Sequence, residues 1–213
     1  MQVAVLGTGM VGRTIAPRLA ELGHGVRLGT RDPSATRARD GWTDLPGVPL
    51  MTFAEATAGA DLVVHAGNGA AALDLLTQAG DLAGAVLLDV SNPLDFSAGF
   101  PPTLAVKDTD SLAEQLQRAF PDTRVVKSLN TLTAELMVHP DRLPEPTSVF
   151  VSGDDDDAKR LVTGLLTELG HRDVIDLGGI ETARGTEMWL PLWLRLMGAL
   201  GTADFNLKIV RPS

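Results

Sequence analysis

Short apolar runs alternate with amphipathic or alanine- and leucine-rich stretches along most of the chain. The runs that we predict to be strands lie at residues 3–6, 26–28, 48–51, 62–64, 86–90, 124–127, 148–151 and 174–177. Nearly unbroken apolar runs of this length are typical of strands buried on both faces of a parallel sheet. Because predicted helices separate them, the pattern predicts an α/β fold, a Rossmann-type doubly wound and mostly parallel sheet with a short C-terminal helix and tail.

Local signals mark where several predicted elements begin and end. A helix is predicted over residues 11–22, and Pro17 inside it should bend the helix axis. Thr52 and Glu55 have the spacing of a capping box at a helix start. Residues 96–108 are predicted to form a loop, since Pro101 and Pro102 lie in their middle.

The first predicted strand runs directly into a glycine-rich turn, Gly7-Thr8-Gly9-Met10-Val11-Gly12. In a phosphate-binding βαβ unit, the first glycine allows a tight turn, the second admits a pyrophosphate and the third lets the helix approach the strand. The helix start then presents free N–H groups to the anion. The second strand follows within about thirty residues, the length of one βαβ unit. The spacing therefore favours a dinucleotide site over a purely structural glycine turn.

The end of the second strand distinguishes the two nicotinamide cofactors. A site for NAD normally has Asp or Glu here to accept from the ribose 2′-hydroxyl, whereas a 2′-phosphate requires Arg and hydroxyl donors. The sequence is Gly29-Thr30-Arg31, with no acidic residue before Asp32. Arg31 is expected to bind the phosphate by charge-assisted hydrogen bonds, with Thr30 and with Ser34 or Arg37 assisting. We therefore predict NADP(H); a solvated surface role for Arg31 is the alternative.

The last part of the chain differs from the rest. A single long helix, introduced by Gly178-Gly179, is apolar almost all round, so one domain face cannot cover it. We predict that a second copy of the chain covers the remainder, giving a homodimer; a central helix in a monomer is the alternative. Residues 1–178 are expected to form the NADP-binding domain. Residues 179–213 are expected to serve dimerisation and closure of the acceptor site, packed into one compact unit.

The composition and net charge limit the classes of partner that the chain is expected to bind. The chain has 213 residues, 44% of them hydrophobic, which suits one α/β domain with a modest extension. A net charge of −9 argues against broad nucleic-acid binding and favours a small-molecule partner. With no cysteine, disulfides and thiolate metal sites are excluded, and we expect no metal site. No basic, cleavable leader or membrane-spanning segment is recognised, so we expect a cytoplasmic protein without membrane contact.

The carboxyl ends of the predicted strands should share one ligand cleft. They carry small, polar or glycine residues: 7–12, 29–31, 66–69, 91–93 and 128–131. His65 alone among the four histidines lies at such an end, and a structural role is favoured over a catalytic one. No hydrolase, metalloprotease or P-loop motif occurs, and the chain has no tyrosine for a Tyr-x-x-x-Lys reductase. Hydride transfer between two aligned cofactors needs no such acid.

Several segments together resemble the family of coenzyme F-420-dependent NADP oxidoreductases. They are residues 5–12, 28–32, 89–93, 126–131 and 205–208. Members of that family are dimeric enzymes that pass hydride between a reduced deazaflavin and NADP. The resemblance implies that the pyrophosphate site is formed by Thr8, Gly9, Met10 and Val11, and the 2′-phosphate site by Thr30 and Arg31. It implies that the nicotinamide side is formed by Ala66, Gly67, Asn68, Asn92 and Asn130. It also implies that the deazaflavin site is formed by Phe205, Asn206 and Leu207.

Three functions are therefore considered. The leading one is hydride transfer between NADP(H) and coenzyme F-420 or a flavin-type acceptor. An NADPH-dependent reductase of a small imine or carbonyl is the second, and it requires His65 or another polar cleft residue. A redox sensor that binds NADP(H) without turnover is the third, from a different functional class.

Overall fold

The computed structural model describes residues 1–212; Ser213, the last residue of the predicted C-terminal segment, lies outside the described residues. The strands are β1 (Gln2–Leu6), β2 (Gly25–Thr30), β3 (Leu50–Thr52), β4 (Leu62–His65), β5 (Val86–Asp89), β6 (Leu94–Asp95), β7 (Thr103–Leu104), β8 (Arg124–Ser128), β9 (Ser148–Ser152) and β10 (Asp173–Asp176). The helices are α1 (Met10–Glu21), α2 (Pro33–Arg37), α3 (Phe53–Thr57), α4 (Ala72–Gln78), α5 (Leu112–Ala119), α6 (Ala134–Val138), α7 (Asp156–Glu168), α8 (Ala183–Met188) and α9 (Leu190–Leu200).

Eight strands form one sheet in the order β10-β9-β8-β5-β4-β1-β2-β3. Neighbours are parallel except β8 and β9, which are antiparallel. The part from β3 to β8 has the doubly wound order of dinucleotide-binding folds, with its switch point between β1 and β4. The predicted fold class is confirmed.

Two apolar cores cover the two faces of the sheet. Val3 and Val5 face one core together with α1, α6 and α7. Ala4 and Leu6 face the other, with α3, α4 and α5. All four side chains are fully buried, as expected of a central strand covered on both faces. The carboxyl ends of the central strands are thus held by rigid elements.

The structure agrees with some of the predicted local features and differs from others. The capping box is confirmed, since the Thr52 hydroxyl accepts the Glu55 N–H and the Glu55 carboxylate accepts the Thr52 N–H. Pro17 lies inside α1 as predicted. The loop prediction for residues 96–108 is wrong at β7, which pairs with β6 in a two-stranded sheet.

The C-terminal prediction of one long helix is also wrong. A 3-10 turn at Ile180–Thr182 is followed by two helices, α8 and α9, which meet at Trp189. Pro191 lies in the first turn of α9, where its missing N–H costs no helical hydrogen bond, and the chain restarts a helix there. Among residues 1–212, no helix is long and apolar enough to cross a membrane.

Candidate cofactor site

The three glycines of the turn after β1 differ in what a side chain would meet at each position. Gly7 has a φ of 125°, and a Cβ there would lie 2.6 Å from the Ala66 carbonyl oxygen. A Cβ on Gly12 would lie 1.9 Å from the Gly7 carbonyl oxygen, so α1 packs directly on the turn. Among residues 1–212, no atom lies within 4 Å of a Cβ built on Gly9. The open position is therefore the one at which a pyrophosphate is expected to approach the backbone.

Gly9 is also the N-cap of α1, and no side chain of the described residues caps this twelve-residue helix. The first N–H groups of α1 therefore lack a side-chain partner at the helix end, where the helix dipole favours an anion. This is the arrangement expected of a phosphate site at a helix N-terminus.

A cavity of about 390 Å³ lies beyond the carboxyl ends of β1, β2 and β4. The predicted site residues that line it are Gly7, Thr8, Gly9, Thr30, Arg31, Ala66, Gly67 and Asn68. The residues that line it without having been predicted are Asp32, Ala35, Arg39, Phe53, Ala71 and Leu75. Three strand ends thus meet in one cleft, which we call the cofactor cavity.

Two arginines line the outer end of the cofactor cavity. Arg31 is exposed, and the Arg39 guanidinium donates to the Thr8 hydroxyl over 3.1 Å. Thr30 is buried, and its hydroxyl shares a hydrogen bond of 2.8 Å with the Thr36 hydroxyl. The Asp32 carboxylate accepts the Ala35 N–H over 3.0 Å and caps α2. The charge at this end is therefore mostly guanidinium, and the Asp32 carboxylate in the described lining is engaged in a cap.

Arg39 is a residue that the sequence reasoning missed. Ser34 and Arg37, proposed as assistants of Arg31, do not line the cofactor cavity, and Arg37 pairs with Asp44 over 3.3 Å. The sequence has arginines at positions 31, 37 and 39, and only the way the chain turns after α2 decides which one reaches Thr8. Met10 and Val11 also lie outside the cavity lining, on the first turn of α1.

The predicted nicotinamide-side asparagines bond to each other at the ends of β5 and β8. The Asn92 side-chain amide donates to the Asn130 carbonyl oxygen over 2.8 Å, and the Asn130 amide donates to Asn92 Oδ1 over 3.0 Å and to the Thr186 carbonyl oxygen over 3.1 Å. A Cβ on Gly69 would lie 2.1 Å from the Asn92 carbonyl oxygen. The asparagines thus support the loop containing Asn68 from behind.

His65 lies at the end of β4 as predicted, but its ring is fully buried and does not line the cofactor cavity. Its Nδ1 lies 2.8 Å from Asp89 Oδ1, and Asp89 Oδ2 accepts from the Lys127 ammonium over 2.8 Å. Lys127 in turn lies 2.9 Å from Glu187 Oε1. We call these four buried side chains, His65, Asp89, Lys127 and Glu187, the buried charge cluster. A structural role for His65 fits its burial.

Opposite charges keep Asp89 and Lys127 ionised despite their burial. Burial would raise the pKa of the Asp89 carboxyl, but the Lys127 ammonium and the hydrogen bond with His65 hold that pKa well below its usual range. Burial likewise opposes a charged Lys127, yet Asp89 and Glu187 together raise its pKa. Asp89 and Lys127 therefore form a charged pair at neutral pH.

The predicted acceptor residues lie apart from the cofactor cavity. Phe205 stacks on Trp193 with ring centroids 5.3 Å apart, and the Asn206 amide donates to Thr147 and to the Ser148 carbonyl oxygen. Leu207 lines a second, apolar cavity of about 190 Å³, beside Thr131, Phe150, Leu177, Gly185, Thr186 and Trp189. This apolar cavity lies next to the end of β8, so Leu207 is brought near Thr131, a predicted strand-end residue.

Among the described residues, no group of three or more His, Asp or Glu side chains is placed to hold a metal ion.

Comparisons with known proteins show the family to which the chain belongs. Residues 2–93 match the family model described as "NADP oxidoreductase coenzyme F420-dependent". An F420-dependent NADP reductase from Methanothermobacter marburgensis is 31% identical over 209 residues, which are 92% of each chain. A crystal structure of a putative F420-dependent NADP reductase from Arthrobacter sp. FB24 is 58% identical, with a TM-score of 0.97 over 99% of this chain and 100% of that one.

Another relative matches the chain over only part of its own length. The metalloreductase STEAP3 of Rattus norvegicus is 29% identical over 197 residues, and the chain spans 38% of that protein. The two full-length matches and the family model carry the assignment. The chain belongs to the family of coenzyme F420-dependent NADP oxidoreductases.

Proposed function

We propose that this NADP-dependent oxidoreductase transfers hydride between NADP(H), bound in the cofactor cavity, and coenzyme F-420 or a flavin-type acceptor. The single observation that carries the proposal is the outer end of the cavity, where an open Gly9, the start of α1, Arg31 and Arg39 meet. These residues fit a pyrophosphate and a 2′-phosphate, because both groups are anions.

The arginines provide selectivity for the phosphorylated cofactor. Arg31 follows β2 directly, at the position where an NAD site has a carboxylate. Arg39, held by Thr8, adds a second guanidinium on the side of the glycine turn. Guanidinium groups bind phosphate through two parallel N–H donors, so this pair disfavours a free 2′-hydroxyl relative to a 2′-phosphate.

The inner end of the cavity aligns the two reacting rings and excludes water, and it does not donate a proton. Ala66, Gly67 and Asn68 form its wall, and the ionisable lining residues of the described chain are Arg31, Asp32 and Arg39. The bound nicotinamide supplies the hydride chemistry. Without a histidine, lysine or tyrosine in the lining, a carbonyl or imine reductase lacks its acid here, whereas transfer between two aligned rings needs none. This favours a deazaflavin or flavin acceptor over the small-substrate alternative.

The acceptor side and the oligomeric state belong to the same proposal. We place the acceptor between the Ala66–Asn68 wall and the segment 205–207, with the apolar cavity lined by Leu207 at its edge. Helix α9 exposes Leu192 and Leu200 by half or more, which supports its burial against a second copy. Ala183 of α8 packs into a core of the sheet, which supports one compact unit formed by residues 1–178 and the C-terminal segment.

A direct assay tests the proposal. Purified protein is mixed with NADP and reduced coenzyme F-420, and nicotinamide reduction is followed by absorbance, with NAD in a parallel sample. We expect turnover with NADP and far slower turnover with NAD. Parallel samples with NADPH and FMN, or with NADPH and a cyclic imine, test the other acceptors. Reduction of the imine alone would favour the second function, and tight binding of both redox forms without any turnover would favour the sensor.

A further inference from the structure

The buried charge cluster is more polar than a sheet core requires. The side chains of Asp89 and Lys127 are fully buried, and that of Glu187 is 2% exposed. Ion pairs so far from water recover their desolvation cost only with good geometry, and apolar side chains of similar volume often stabilise a fold as well or better. Stability alone therefore does not account for the cluster.

The contacts of the cluster converge on one residue of the strand-end loop. Lys127 Nζ donates to the Ser91 carbonyl oxygen over 2.6 Å. Asp89 Oδ1 accepts both the Ser91 N–H and the Ser91 hydroxyl, over 3.1 and 2.7 Å. The backbone and side chain of Ser91 are thus fixed at three atoms. The next residue is Asn92, whose carbonyl oxygen lies against Gly69.

The cluster also lies directly behind the cavity wall. A Cβ on Gly67 would lie 3.1 Å from His65 Nε2, and Gly67 lines the cofactor cavity. Glu187 accepts the N–H groups of Leu112 and Ala113 over 2.8 and 3.1 Å, which ties α8 to the start of α5. Two separate contacts, one through His65 and one through Asn92, therefore connect the cluster to the loop of residues 67–69.

We propose that Lys127 is a positioning residue which, with Asp89 and Glu187, holds the loop of residues 67–69 in place at the nicotinamide end of the cavity. The inference rests on the proposal that this cavity holds NADP(H). None of the three side chains touches the cavity itself, so they act through Ser91, Asn92 and His65. Their loss should disturb the nicotinamide half of the site and leave the phosphate half intact.

Two ligands separate these halves. NADPH occupies the whole cavity, whereas 2′,5′-ADP carries the 2′-phosphate and one phosphate of the pyrophosphate but no nicotinamide. In Glu187→Gln, Lys127 loses one of its two carboxylates while the side chain keeps its size. We expect calorimetric titration to show NADPH bound about tenfold more weakly, equivalent to about 1.4 kcal/mol. Binding of 2′,5′-ADP should stay the same.

Matched variants make the result specific. Glu114→Gln breaks the Glu114–Arg184 ion pair, which also anchors α8 but has no contact with Ser91. It should leave both affinities unchanged. Should Glu187→Gln fail to fold, Lys127→Arg keeps the positive charge but replaces a compact ammonium by a planar fork, which cannot reproduce its three contacts. The same split between NADPH and 2′,5′-ADP is then expected.

The outcomes separate this inference from the proposed function. If the parent protein binds neither ligand, the proposed function fails. If the parent binds both and the variants weaken both equally, or weaken neither, the positioning role of Lys127 is overturned while the cofactor assignment stands.

Discussion

The two ends of the cofactor cavity use charged side chains in opposite ways. At the phosphate end, Arg31 and Arg39 are exposed and line the cavity. Behind the nicotinamide end, Lys127 is buried between Asp89 and Glu187 and touches no cavity surface. An exposed guanidinium is available to an incoming anion, whereas a buried ammonium with three fixed partners is available only to its own chain. Placement, rather than residue type, determines which cation binds a ligand and which fixes the backbone.

This contrast predicts that substitution of the buried Lys127 has the largest effect on the stability of the fold. In Lys127→Met the two buried carboxylates lose their cation, and we expect a loss of about 3–5 kcal/mol in the free energy of unfolding. Urea denaturation measures it. Lys208→Met removes an exposed pair with Glu145 and serves as the control. Because surface ion pairs contribute little, its denaturation midpoint should hardly move. Equal effects of the two variants would break the comparison.

Within the phosphate end, Gly12 and Gly9 can be compared for their effects on stability and on NADPH binding. In Gly12→Ala the new methyl would lie 1.9 Å from the Gly7 carbonyl oxygen, so α1 must shift. We expect a stability loss of about 3 kcal/mol, together with loss of NADPH binding. In Gly9→Ala the methyl meets open space, so the free protein should unfold at nearly the same urea concentration. NADPH binding should still fall by at least about tenfold, since the methyl occupies the pyrophosphate approach. Unchanged NADPH binding in Gly9→Ala would contradict the site.

Arginine variants test which cations serve the phosphate. Arg31→Ala should weaken NADPH by about 2 kcal/mol, the scale of a hydrogen bond to a charged group, and leave NADH binding unchanged. Arg39→Ala should weaken NADPH in the same direction. The sequence predicts that Arg37 assists Arg31 at the phosphate, whereas in the structure Arg37 pairs with Asp44 outside the cavity. Arg37→Ala therefore tests which of these two assignments is right. Fluorescence titration of NADPH and NADH against the three variants decides: a larger loss for Arg37→Ala than for Arg39→Ala would restore the original sequence interpretation.

The fold was largely predictable because of how its strands are buried. Strands covered on both faces read as unbroken apolar runs, and β1, β4 and β5 carry that signal. The antiparallel pairing of β9 with β8 was out of reach, since side-chain alternation is the same in either direction. The break between α8 and α9 was signalled by Pro191, but an apolar run on both sides hid it.

The site was predictable only where it is local. The glycine turn and Arg31 lie within one βαβ unit, so their spacing alone predicts that they line one cavity. Arg39 reaches Thr8 only because the chain turns back after α2. Lys127 and Glu187 are 60 positions apart and meet through the packing of α8 against the strand ends. Contacts of this kind depend on the tertiary fold and leave no periodic signal.

A third region lets the comparison be tested where no cofactor contact is proposed. A cavity of about 1030 Å³ shares no lining residue with the cofactor cavity and contains His171. Burial lowers the pKa of His171, only partly offset by its bond of 2.9 Å with the Met137 carbonyl oxygen. A neutral buried imidazole stabilises the fold above the ordinary histidine pKa of about 6.5, and this contribution is lost as the pH falls below it. His171→Gln should flatten the decline in urea midpoint from pH 7 to pH 5, the smallest effect expected here, and leave NADPH binding unchanged. A change in NADPH affinity would show that this region is coupled to the cofactor cavity after all.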